Sequence, residues 1–193
     1  MRHNASLLAL CVLAAACGER TRTVAAPDFS IPVMADEGHG GGDGEDHFNP
    51  RLLGKNENPP HLTPAHGRAV FHVSDDGQSV EYMLVVNDIT NVRQSHIHVG
   101  PAGVNGPIVV FLYGPVPAGG GPISGLIARG TFTAANLIGP LAGHPLSELL
   151  ADMRSGNAYV NVHTDDGIAP ANTGPGDFPG GEIRGQLVDR HED

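Results

Sequence analysis

"SHIHVGPAGVNGPIVVFLYG", residues 95–114, places His96 and His98 at alternate positions, then a glycine- and proline-rich turn, then an apolar run rich in β-branched residues. In a strand, residues i and i+2 point to the same side, with Cα atoms roughly 6.5 to 7 Å apart. His96 and His98 therefore share one face, and Ile97 and Val99 take the other. The run from 106 to 114 has the length and composition of a buried strand. This stretch decides for a β-sheet whose core keeps the aliphatic side chains and whose opposite face carries imidazoles.

The same period extends outward in both directions. "RAVFHVS" (68–74) offers Ala69, Phe71 and Val73 to one side, "DDGQ" turns the chain, and "SVEYMLVVND" (79–88) returns as a hairpin partner. "LIARGTFTA" (126–134) alternates again, with Thr133 placed to cap the short turn "AANLIG". "PLSELLADM" (145–153) spaces Leu146, Leu149, Leu150 and Met153 as one helical face, with Pro145 suited to the first turn and Gly156 to the stop. "AYVNVHT" (158–164) and "GEIRGQLVD" (181–189) close the series around the loose loop "DDGIAPANTGPGDFPG". The expectation is an all-β fold, an antiparallel β-sandwich or flattened barrel, with one short helical connection.

Composition agrees. The chain has 193 residues, long enough for one sizeable core, and its 27 glycines and 16 prolines favour short strands joined by turns. A formal net charge of −10 disfavours nucleic acid as a partner.

Residues 1–16 read as a signal peptide, with a basic start and an apolar run too short to span a bilayer. "LAAAC" resembles the lipobox of bacterial lipoproteins, which implies cleavage before Cys17 and lipidation of its thiol, although Ala14 stands where the family more often has leucine. The alternative is plain secretion. The resemblance implies a bacterial cell-envelope location, lipid-anchored and extracytoplasmic. Cys11 is removed either way, so no internal disulfide is expected. Residues 17–66 are glycine-, acid- and proline-rich and read as a disordered tether, with His39 and His47 as loose metal collectors or simply parts of a solvated spacer. The folded domain is expected over 67–190.

Four blocks in order, "VEYMLVVNDITNVRQSHIHVGPAGVNGPIVVFLYG", "GTFTAANLIGPLAG", "LLADMRSGNAYVNVHT" and "PGGEIRGQL", are similar to the CHRD domain, named for chordin. The resemblance implies a β-sandwich in an extracytoplasmic protein. The name-giving animal proteins bind signalling ligands, and the bacterial members carry no settled activity.

Parity assigns the candidate site. Val160 and Val162 point inward, and Tyr159, Asn161 and His163 point the other way. Ile183 and Leu187 point inward, and Glu182, Arg184 and Gln186 point out. His96, His98 and His163 could then converge on one cation, since three imidazoles with an open position suit copper or zinc. Glu182, Arg184 and Asn161 are the candidate supporting residues: Glu182 as acceptor of an imidazole N–H, Arg184 as an anion guide. The competing reading is a hydrogen-bonded polar cluster, with Glu182 and Arg184 as an exposed ion pair. Copper affinity is expected to fall as pH drops through about 6 to 5, where free histidine charges.

"SHIHVG", "YVNVHT" and the last glycine-rich loop with Arg184 also resemble, more distantly, Cu/Zn superoxide dismutase. The zinc-site Asp/His set and the cysteine pair are missing, His144 being the lone histidine between residues 100 and 162, so the resemblance carries copper binding further than dismutation. No nucleophile motif is present. Two functions stand: a non-catalytic copper-binding lipoprotein, and a metal-free surface module for adhesion or an extracytoplasmic protein ligand.

Overall fold

The computed structural model describes residues 47–188. These form β1 (His47–Phe48), β2 (Arg51–Leu53), β3 (His66–Val73), β4 (Ser79–Thr90), β5 (Val92–Val99), β6 (Ile108–Tyr113), β7 (Pro122–Thr133), α1 (Leu146–Arg154), β8 (Ala158–Thr164) and β9 (Ile183–Leu187). The pairing is antiparallel throughout, in the order β6-β5-β8-β9-β2-β3-β4-β7, with β1 added to β3. Eight strands make a nearly closed barrel, and the Tyr82 hydroxyl on β4, the neighbour of end strand β7, donates to the Leu112 carbonyl on the other end strand, β6. The all-β expectation holds, with one short helix.

Alternation drives the closure. Phe71, Val73, Val80, Leu84, Val86, Ile97, Val110, Val160, Val162, Ile183 and Leu187 are buried together, so each strand contributes its apolar set to one core. α1 buries Leu146, Leu149, Leu150 and Met153, the face its spacing predicts, and ends at Gly156, whose φ of 71° a β-carbon would resist. The Thr133 side chain caps the short turn Ala134–Asn136 in a reciprocal box with Asn136. No helix among the described residues is long and apolar enough to cross a membrane.

The boundary expected at residue 67 falls too late. β2 lies inside the sheet between β9 and β3, and Phe48 and Leu52 are fully buried, so the domain begins at or before β1. The polar composition of 47–66 concealed this, because its few apolar residues complete a core built by others. His47, read as part of the tether, sits on β1 opposite His72, with their Nδ1 atoms 3.2 Å apart. The signal peptide, Cys17, His39 and the expected tether as far as residue 46 lie outside the described residues.

Candidate metal centre

Sheet register assembles the site. β5 pairs with β8 so that His96 faces Asn161 and His98 faces Tyr159, while β8 pairs with β9 so that Asn161 faces Arg184 and Tyr159 faces Gln186. Directly opposed residues share a face, so these six lie on the side away from the core, and His163 sits on the same side diagonal to His96. One ring nitrogen from each of His96, His98 and His163 lies within 4.8 Å of the others.

That face is not exposed. His96 is 0 % exposed, His163 6 % and His98 7 %, and Asn161, Glu182 and Arg184 are buried as well. Three loops close over the sheet. Residues 57–65 contribute His61, stacked on Phe178 at 3.9 Å, and the 100–107 turn contributes Pro101, Asn105 and Gly106. The β8–β9 loop, read from sequence as loose, lays Gly176, Phe178 and Pro179 across the strands.

Hydrogen bonds define the tautomers. A carbonyl only accepts, so His98 Nδ1–H donates to Gly106 O at 2.9 Å and His163 Nδ1–H donates to Pro179 O at 2.8 Å. Both Nε2 atoms are then bare lone pairs in the neutral rings. His163 Nε2 accepts from His96 Nδ1–H at 3.0 Å, which leaves His96 Nε2 bare too. His96 Nε2 and His98 Nε2 are buried with no hydrogen-bond partner. A buried unmet acceptor costs roughly 1 to 3 kcal/mol, and two in one cluster mark a place prepared for something else.

Burial keeps the imidazoles neutral. It pushes His96 down to about 3, helped by repulsion from His163 and His98. His163 is lowered to about 4 by burial, against the pull of the Pro179 carbonyl, and His98 is lowered by burial against the pull of the Gly106 carbonyl and the Asn161 side chain. The rings therefore present lone pairs, not charges, well below the pH of 6 to 5 expected from free histidine.

The supporting residues differ from expectation. Glu182 does not accept from an imidazole; its carboxylate accepts from the hydroxyls of Thr63 and Thr164 and from Gly176 N–H, and so ties two covering loops to the sheet. Backbone carbonyls of Gly106 and Pro179 orient the histidines instead, and a lone sequence carries no side-chain signal for a carbonyl. Arg184 is not an exposed ion-pair partner of Glu182. It is 1 % exposed, its guanidinium lies 3.3 Å from the Tyr159 ring centroid, and it donates to Pro101 O, Asn105 Oδ1 and Gln186 Oε1. Tyr159 in turn stacks on His98 at 4.8 Å and 7°. The Asn161 amide oxygen is buried without a partner.

Two contributors escaped the sequence reading. Phe111, opposite His96 across β5–β6, stands edge-on to that ring at 4.5 Å. Glu57 is buried, one of its oxygens has no partner, and burial raises its carboxyl to about 7 despite Arg184 nearby. The apolar alternation of Phe48 and Leu52 upstream was the available sign that Glu57 belongs to the domain. Of the turn glycines, only Gly103 has positive φ, at 76°; Gly106 is needed because a β-carbon there would lie 1.7 Å from Val99 O.

No curated protein and no solved structure matches this chain. The CHRD domain family model matches residues 48–187, spanning every strand from the second half of β1 to the end of β9 and all three histidines. With that match covering most of its length, the chain belongs to the CHRD domain family.

Proposed function

We propose that this chain is an extracytoplasmic copper-binding protein in which His96, His98 and His163 supply three neutral nitrogens to one ion and no enzymatic step follows. The observation that carries the reading is the pair of buried, unpartnered lone pairs at His96 Nε2 and His98 Nε2. Imidazole nitrogens without a carboxylate or thiolate suit Cu²⁺, which stands highest in divalent affinity order, and zinc is the competitor. Copper as the ion, the lipid anchor at Cys17 and residence in the bacterial envelope are parts of this proposal. "LAAAC" supports the anchor, and the family's occurrence in secreted proteins supports the compartment.

The test is calorimetric titration of the metal-stripped protein with Cu²⁺ and, separately, Zn²⁺ at pH 7. One equivalent of tight Cu²⁺ that His96→Ala abolishes is the expected result. Absence of any saturable heat with either ion leaves the cluster as a polar brace in a metal-free binding module.

A further inference from the structure

We infer that the β8–β9 loop holds a second cation site, independent of the histidines, which takes Ca²⁺ through Asp165, Asp166 and Asp177. One carboxylate oxygen from each of the three lies within 4.8 Å of the others. Ca²⁺ takes oxygen ligands in flexible geometry, which suits carboxylates already held by their own loop turns, whereas Mg²⁺ demands near-ideal octahedral placement.

Acidic groups gather at many surfaces without a ligand, and the carboxylates here also serve their own turns. Asp165 Oδ1 accepts from Gly167 N–H, Asp166 Oδ1 from Ile168 N–H, and Asp177 Oδ2 from the backbone and hydroxyl of Thr173. What sets this group apart is Asp177. It is 3 % exposed, and its Oδ1 is buried with no hydrogen-bond partner. An anionic oxygen withdrawn from water without a donor is strongly disfavoured unless a cation meets it. Arg93, 3.4 Å from Asp165 Oδ2, neutralises one of the three charges. A hard divalent cation with oxygen ligands supplies the rest, and the remaining coordination positions fall to water and backbone carbonyls, as Ca²⁺ tolerates. The site would pin the loop that also bears Pro179.

The experiment is calorimetric titration of the chelator-treated full chain with CaCl₂, paired with thermal melting. The expected result is one site with Kd on the order of 10⁻⁴ to 10⁻³ M, the range of extracellular modules, and a melting temperature that rises with Ca²⁺. Asp166→Asn and Asp177→Asn should each weaken binding at least about 10-fold. Asp166 is only partly buried, so its variant keeps the test open if Asp177→Asn unfolds. Asp75→Asn, in the exposed β3–β4 turn, should change nothing. His96→Ala should leave Ca²⁺ binding intact, which separates this site from the copper proposal. No saturable heat up to about 10 mM CaCl₂, tighter binding of Mg²⁺, or affinity unchanged in both loop variants would overturn the inference.

Discussion

His96 and His163 meet across β5 and β8 with Nδ1 of the first 3.0 Å from Nε2 of the second, and the proton between them belongs to His96. His163 has already committed its own N–H to Pro179 O, so its Nε2 is the acceptor here and His96 Nε2 is left as a buried lone pair.

Replacing any of His96, His98 or His163 by alanine should weaken Cu²⁺ binding by roughly 100-fold or more, since two nitrogens remain where three converged. His47→Ala should leave affinity unchanged, because His47 pairs with His72 on another part of the sheet. Competition with a chromophoric chelator gives the ratios. Equal losses in all four variants would mean that the copper sits elsewhere.

The pH dependence should follow burial. With His96 held near 3 and His163 near 4, Cu²⁺ affinity should be nearly flat from pH 7 to about 5 and collapse between about 4 and 3. The metal-free fold has the same direction. The unfolded chain takes up imidazole protons near 6.5, before the folded one, so the histidines subtract stability as pH falls from about 6.5 through 4. Binding half lost at pH 6 would show rings open to water.

Glu57 acts with the opposite sign. Its folded pKa of about 7 lies above the ordinary carboxylate value, so its protonated form suits the fold, and stability declines as pH rises from about 4.5 to 7. Glu57→Gln, which mimics that form, should match the parent near pH 4 and exceed it at pH 8 by on the order of 2 kcal/mol in urea unfolding. A variant less stable at pH 8 would assign Glu57 a needed charge.

Gly106→Ala should open the turn that carries the acceptor for His98, because the new β-carbon would collide with Val99 O. The expected outcome is a folded protein with a lower melting temperature and Cu²⁺ affinity reduced about 10- to 100-fold, the usual scale for losing a ligand's orienting partner. Unchanged affinity would show that His98 needs no carbonyl to hold its ring.

Cys17→Ser should release the protein from the detergent-extracted membrane fraction, or block its processing, if "LAAAC" directs lipidation. Retention in that fraction after normal processing would remove the anchor from the proposal.

The barrel was legible because strand period and core burial are local: Ile97 against His96 and His98, or Val160 and Val162 against Asn161 and His163, declare their faces without reference to any partner. The helix at Leu146–Arg154 and its stop at Gly156 were legible for the same reason. The three histidines could be nominated together from parity, but their meeting was not local. It depends on β8 lying between β5 and β9, a pairing between segments more than sixty residues apart. Tertiary structure alone decided that the polar face is buried. Loops 57–65, 100–107 and 165–182 have no apolar period, because their hold on the sheet runs through scattered hydrogen bonds accepted by the Glu182 carboxylate and by the Pro101, Gly106 and Pro179 carbonyls. That covering makes the imidazoles neutral and leaves their lone pairs unmet, since desolvation is a property of what lies above a residue and not of its place along the chain.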